Sequence, residues 1–159
     1  MPKAIIVDWY GPFESPKDFR KEMRLWQSGC RALYMGLGRG NVINYIGLTT
    51  EPATRFYNHA KLRSLENLRF YCGEVVSQAV AGRRTSTCPP DLKIAEHALI
   101  AFFQPKLNAR LTESDPDDCV VVYSRFFDPR DGETPRARLR KFPPVIAYNS
   151  WAEEWEDFT

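Results

Sequence analysis

The pattern of apolar and polar positions along the chain predicts five strands, two of which form a hairpin. Short runs of apolar and β-branched residues bounded by turn residues are typical of strands. They predict strands at 4–9, 31–37, 42–48, 69–79 and 119–126. The first run is closed by Gly11 and Pro12 and suits an edge strand. The second and third runs are separated by the sequence GRGN, whose glycines and asparagine favour a hairpin turn.

Apolar residues three and four positions apart predict helices between the strands. One helix is predicted to begin at Ser15, which can cap free amides, and to end at Gly29. A second is predicted to begin at Thr50 and to run toward Leu65. A third is predicted over 91–103, with a buried stripe of Leu92, Ala95, Leu99 and Phe102.

The end of the sequence predicts a fourth helix. Ser150 and Glu153 have the spacing of a capping box. The apolar residues that follow the cap would share one helical face: Trp151, Trp155 and Phe158. We expect this face to dock on the protein's own core, with a partner or dimer interface as the alternative.

Together, these elements predict an α+β fold with a small antiparallel central sheet of about three strands. Helices would flank this sheet, and N- and C-terminal strands would extend it. With 159 residues, 43% of them hydrophobic, the chain can form one core but is too short for two independent ones. We therefore expect residues 1–159 to form a single domain.

Composition narrows the classes of function. The net charge of +2 is too small for a protein that coats nucleic acid through charge alone, so phosphate contacts would need local patches. The four cysteines include no C-x-x-C pair, which argues against a disulfide scaffold and a zinc site. No apolar run is long enough for a membrane span, and the N-terminal residues do not resemble a signal peptide. We therefore expect a cytoplasmic protein without a membrane partner.

Two short motifs and four single residues suggest chemistry. They are ALY at 32–34, YIG at 45–47, Arg55, His59, Glu96 and Asn108. In type, order and spacing this set resembles the GIY-YIG nuclease family. The resemblance covers 31–110 as a nuclease core, and leaves an N-terminal arm at 1–30 and a C-terminal arm at 111–159.

The sequence departs from the family motif at a few positions. Ala32 and Leu33 stand where the motif has glycine and isoleucine, but neither position supplies a chemical group. Leu48 follows YIG where many members have a polar or basic residue. Arg39 in the hairpin turn is a candidate replacement for the phosphate contact of that residue.

The resemblance implies a metal-dependent endonuclease that hydrolyses DNA phosphodiester bonds. Glu96 would hold one divalent ion, Mg²⁺ or Mn²⁺, with water completing its shell, which indicates a single-metal mechanism. Tyr34 would position or deprotonate the attacking water, although only roughly one free phenol in a thousand is ionised at neutral pH. Tyr45 could contact the phosphate or the same water, and which tyrosine is the base stays open.

The remaining motif residues would assist this reaction. Arg55 is always cationic, so it can lower the pKa of Tyr34 and balance charge on the phosphate. His59, one helical turn later, can exchange a proton near neutral pH. Asn108 would either fix the loop after the Glu96 helix or contact the DNA backbone.

Further basic residues are candidates for DNA binding, with an ordinary solvated surface as the alternative. They are Arg39, Arg83, Arg84, Arg136, Arg138, Arg140 and Lys141. A single module carries one cutting centre, so cutting both strands would require a homodimer, a second event or a partner. The alternative function is a catalytically silent DNA-binding or interaction module on the same fold.

Overall fold

The computed structural model describes residues 2–15, 17–19, 21, 33–49, 69–76 and 90–159. Its elements, in chain order, are β1 Lys3–Phe13, β2 Leu33–Leu37, β3 Ile43–Leu48, β4 Arg69–Val75, α1 Pro90–Phe103, β5 Val120–Phe127, β6 Val145–Asn149 and β7 Glu154–Phe158. A short 3-10 turn, Arg39–Asn41, joins β2 to β3. Residues 17–19 and 21 are also helical.

All seven strands belong to one curled sheet in the order β3-β2-β4-β1-β5-β6-β7. Neighbours are antiparallel except β1 and β5, which are parallel, so the sheet is mixed. The predicted small sheet of about three strands flanked by helices is therefore wrong. Three of the predicted strands do lie together as β3-β2-β4, but they form one end of a much larger sheet with two helical stretches among the described residues.

The position of the N-terminal strand is one part of this difference. β1 lies in the interior of the sheet, between β4 and β5, so the predicted edge position is wrong. Ile5, Val7 and Trp9 alternate along it and are each at most 1% exposed. A strand with neighbours on both sides satisfies its backbone groups on both edges, and here it joins the hairpin strands to the C-terminal strands.

The C-terminal helix was also predicted wrongly. Ser150 begins a turn, and Glu154–Phe158 forms β7, which pairs with β6. The alternation in EWEDF turns Trp155 toward the core, where its ring lies 4.9 Å from that of Tyr148 and 5.5 Å from that of Phe102. Pairing with β6 therefore outweighs the local helical pattern, as tertiary context often does.

The hairpin and the third helix were predicted correctly. β2 and β3 pair as expected, and the turn between them holds Gly40 and Asn41 at positive φ values of 71° and 63°. α1 closely matches the predicted helix at 91–103. None of the helices in the described part of the chain is long and apolar enough to span a bilayer.

The two faces of the sheet carry different clusters. The larger cluster joins the apolar stripe of α1 to Leu33, Met35 and the inward residues of β1 and β5. The smaller cluster lies on the opposite face and comprises Phe13, Phe19, Tyr34, Phe70 and Cys72. Because side chains alternate along a strand, Tyr34 points away from the face that α1 covers.

Candidate functional site

Tyr34 and Tyr45 form a stacked pair on one face of the β2–β3 hairpin. Their ring centroids are 5.6 Å apart and their planes are inclined by 24°. Tyr34 lies opposite Gly47, and Tyr45 lies opposite Gly36, so the rings meet on a diagonal across the two strands. Tyr34 is 1% exposed, whereas Tyr45 is half-buried and closer to solvent.

Gly47, the glycine of the YIG motif, makes this stacking sterically feasible. A Cβ atom at this position would lie 2.6 Å from Cζ and 2.7 Å from the hydroxyl oxygen of Tyr34. It would also lie 2.6 Å from Cε1 of Tyr45. Both tyrosine rings therefore occupy the space that a side chain at residue 47 would need.

Asn108 is bound to the strand that carries Tyr45. Its Nδ2 donates to the carbonyl oxygen of Ile46 at 2.7 Å, and its Oδ1 accepts from the Ile46 amide at 3.0 Å. The amide of Leu107 donates to the carbonyl oxygen of Asn44 at 3.0 Å. Because β3 is the first strand of the sheet, residues 107 and 108 satisfy backbone groups on its outer edge.

Glu96 is held by a different layer of the molecule. It is the seventh residue of α1 and is half-buried. α1 contacts β3, β5 and β1, and its apolar stripe packs on the sheet face opposite the tyrosines. The chain that leaves α1 then passes to the outer edge of β3. The helix of Glu96 therefore contacts the strand that carries Tyr45.

Four of the predicted site residues lie outside the described residues: Arg55, His59, Arg83 and Arg84. The structure thus brings Tyr34, Tyr45 and Asn108 to one hairpin and sets Glu96 on the adjacent helix. Among the described residues, no group of three histidine, cysteine, aspartate or glutamate side chains could hold a metal ion together.

The other candidates for DNA binding differ in how much they are already engaged. Arg39 is exposed in the hairpin turn. Arg136 donates to Asp128 at 2.7 Å, and Arg138 donates to the carbonyl oxygen of Phe142 at 3.2 Å. Arg140 and Lys141 are exposed next to the buried Leu139. Arg136 and Arg138 therefore have structural partners in addition to any DNA contact.

A charged pair on the tyrosine face of the sheet was not predicted from the sequence. Arg125 donates to both carboxylate oxygens of Asp8, at 2.7 and 2.8 Å, and its guanidinium lies 5.6 Å from the ring centre of Phe127. Phe127 in turn stacks on Tyr10. Asp8 and Arg125 are 117 residues apart, so their parallel-strand register, rather than any local motif, brings them together.

Comparison of the chain with protein-family models, with curated proteins and with solved structures finds no significant match.

Proposed function

We propose that this protein is a metal-dependent endonuclease that hydrolyses DNA phosphodiester bonds at the Tyr34–Tyr45 hairpin. The observation that carries the proposal is the stacked tyrosine pair over Gly47. The stack orients Tyr45, the half-buried member of the pair, whose hydroxyl can contact a phosphate group or a water molecule. The proposal rests on these side chains rather than on the overall fold, because one fold can host many functions.

Asn108 adds independent support. It is 62 residues from Ile46 in sequence, yet its side chain binds the backbone between Tyr45 and Gly47. A chance match of motif spacing would not require this contact. Asn108 would fix the chain after the Glu96 helix, one of the two roles expected for it, and would do so by binding the strand that carries Tyr45.

In the proposed reaction, one tyrosine orients or deprotonates the attacking water. Tyr45 is closer to solvent than Tyr34, so it is the more accessible of the two to a phosphate. Arg55 would neutralise charge on the phosphate, and His59 would exchange a proton with the tyrosine or the water. Tyr34, whose hydroxyl oxygen is buried, would position Tyr45 through the ring stack.

The chemistry of the donor set suits Mg²⁺ or Mn²⁺. Glu96 contributes one carboxylate, and Mg²⁺ keeps several waters while binding to one or two carboxylates and substrate phosphates. The ion, when bound, would polarise the phosphate and stabilise the leaving oxygen. The resident residues fit a shell completed by water and DNA rather than by a protein cage.

A supercoiled plasmid assay with Mg²⁺ tests the proposal. We expect the native protein to nick the plasmid, and the variants Glu96→Gln and Tyr45→Phe to lose on the order of 100-fold or more in rate, the scale of general acid–base and charge stabilisation. Tyr34→Phe keeps the stacked ring and should lose less. Glu113→Gln, at an exposed glutamate outside the site, is the matched control and should keep the native rate. Inactivity of the native protein with intact DNA binding would instead favour the catalytically silent module.

A second measurement tests whether Glu96 and the tyrosines share one centre. Replacing Mg²⁺ by Fe²⁺ and adding ascorbate and peroxide produces hydroxyl radicals that cut the backbone close to the metal. We expect cuts near Glu96 and within β3, both of which disappear in Glu96→Gln. Cuts near Glu96 without cuts in β2 or β3 would contradict a common site.

A further inference from the structure

A cleft of about 360 Å³ lies at the far end of the sheet from the tyrosine pair. Its floor includes Val121 and Ala147, which are opposite each other on β5 and β6. Glu156 of β7 lies opposite Ala147 and continues this row. The three side chains therefore share one sheet face and end at β7, the last strand of the sheet.

The rim of the cleft combines an exposed aromatic ring with negative charge. Trp151 is 92% exposed, the most exposed of the large hydrophobic residues that the structure describes. Asp118 and Glu156 also line the cleft, and none of the described lining residues is basic. The carboxylates attract cations through their negative charge, and the face of the indole ring attracts cations as well.

The cleft-facing side of β7 carries two glutamates followed by Phe158. Glu154 and Glu156 are both exposed and lie on the face of the cleft, because side chains alternate along a strand. An added strand with basic residues at alternate positions would place two of them roughly 5 Å from Glu154 and Glu156. The same acidic residues disfavour pairing of β7 with another copy of β7.

We propose that β7 and the cleft beside Trp151 bind an extended basic segment of a partner protein. The segment would add as a strand to β7 and place one lysine or arginine side chain over Glu156 and against Trp151. Tryptophan is enriched among the interface residues that supply most of the binding energy, and the added strand would bury the ring of Trp151. Nucleic acid is disfavoured as the occupant because the surface is negative.

The basic residues 136–141 of a second copy are a poor occupant. The backbone amide of Arg136 donates to Phe126, and its guanidinium is bound to Asp128. Leu139 and Phe142 are 8% and 1% exposed and anchor the same segment. Pairing with β7 would require breaking these contacts, whereas a segment from another protein carries no such cost.

Fluorescence anisotropy with labelled eight-residue peptides tests the proposal on the full chain. The probe alternates lysine and threonine, one control alternates glutamate and threonine, and a second has four lysines followed by four threonines. We expect the alternating lysine peptide to bind at least tenfold more tightly than either control. Equal affinity for both lysine peptides would mean that only nonspecific charge attraction holds them, and would overturn the proposal that the segment adds as a strand.

Variants locate the binding surface. Trp151→Ala and Glu156→Lys should each weaken the alternating lysine peptide at least fivefold, whereas Glu133→Lys, the same charge change at an exposed residue outside the cleft, should change affinity less than twofold. Circular dichroism confirms that each variant is folded. Unchanged binding by folded Glu156→Lys would overturn the proposal. Sedimentation of the native protein as a dimer that Trp151→Ala converts to a monomer would also overturn it, in favour of a second copy.

This binding surface does not depend on the proposed nuclease activity. Glu96→Gln should bind the peptide normally, and Trp151→Ala should nick plasmid at whatever rate the native protein shows. Failure of one proposal would therefore leave the other measurable.

Discussion

The side-chain amide of Asn108 hydrogen-bonds to both the amide and the carbonyl group of Ile46. This pairing imitates a neighbouring strand, because one residue satisfies a donor and an acceptor on the outer edge of β3. Ile46 is the central residue of YIG, so the contact ties the chain after α1 directly to the tyrosine hairpin.

Replacing Asn108 by alanine should therefore lower stability and disturb the hairpin. Two hydrogen bonds are lost at a half-buried position, which should reduce the free energy of unfolding by about 1–3 kcal/mol. Urea denaturation measures the loss.

Asn108→Asp provides a sharper comparison. Its carboxylate keeps an acceptor for the Ile46 amide but faces the Ile46 carbonyl oxygen without a donor. The variant should be less stable than the native protein at pH 7 and should recover part of the difference near pH 4, where a protonated carboxyl group can donate. A stability difference that does not change with pH would contradict the paired geometry.

Gly47→Ala should disrupt the tyrosine stack by overpacking. The new methyl group would lie within 2.7 Å of atoms of both Tyr34 and Tyr45. Overpacking of this kind typically costs about 1–3 kcal/mol. Near-ultraviolet circular dichroism should show a changed tyrosine signal, and proposed nicking activity should fall with it.

Gly40→Ala is the matched control for this substitution. Among the residues that the structure describes, and apart from its chain neighbours, no atom lies within 4 Å of the added Cβ, so the cost comes from the φ value of 71°. We expect a loss of about 1 kcal/mol with an unchanged tyrosine signal. A similar spectral change in both variants would show that turn strain, rather than ring contact, controls the stack.

Local patterns predicted the elements whose stability is local. The GRGN turn needed residues that tolerate positive φ, and Gly40 and Asn41 supply them. α1 has a regular stripe that meets the core at Leu92, Ala95 and Leu99. In both cases the chemistry that forms the element lies within the element itself.

The elements that local patterns predicted wrongly are determined by pairing between strands far apart in sequence. β1 is placed in the middle of the sheet by its parallel register with β5, in which Lys3 lies opposite Val120. The sequence EWEDF becomes a strand because β6 offers it a partner and Trp155 finds the rings of Tyr148 and Phe102. Neither pairing can be predicted from the residues next to the strand in sequence.

For the candidate site, motif spacing identified the tyrosines and Asn108, but it could not predict on which side of the sheet each residue lies. Helical periodicity places Glu96 beside the apolar stripe of α1, and it does not say which sheet face that stripe covers. The steric role of Gly47 likewise depends on the diagonal register of two strands.

Cys119 should be the more reactive of the two cysteines that the structure describes. Hydrogen bonds from the hydroxyl and backbone of Ser150 lower the pKa of the Cys119 thiol, and Cys72 is buried. Alkylation by iodoacetamide, followed by peptide-resolved mass spectrometry, should modify Cys119 much faster than Cys72. The rate should rise at a pH below the usual thiol pKa of about 8.5.

Ser150→Ala should move this pH profile of Cys119 alkylation upward, because the hydroxyl no longer stabilises the thiolate. An unchanged profile would rule out Ser150 as the cause. Cys119 also lines the cleft beside Trp151, so the alternating lysine peptide should slow its alkylation in the native protein.

Asp128 should make stability depend on pH at the acidic end of the range. Hydrogen bonds from Arg130 and Arg136 hold the pKa of its carboxyl group well below the usual value for aspartate. A group with a depressed folded-state pKa stabilises the protein above its unfolded pKa of about 3.9 and loses that contribution as pH falls toward the folded value. The charged partners around it are Arg130, Arg136 and Asp131, whose own pKa is lowered by Thr134.

Asp128→Asn should therefore lower Tm clearly at pH 7 and progressively less below pH 4. Asp117→Asn, at an exposed aspartate, is the control and should leave the difference between pH 7 and pH 3 nearly unchanged. Added salt should weaken the effect only in part, since Asp128 is 4% exposed although Arg130 extends into solvent. If the Tm difference between native protein and Asp128→Asn grew as pH fell, the carboxylate would not be stabilised by these arginines.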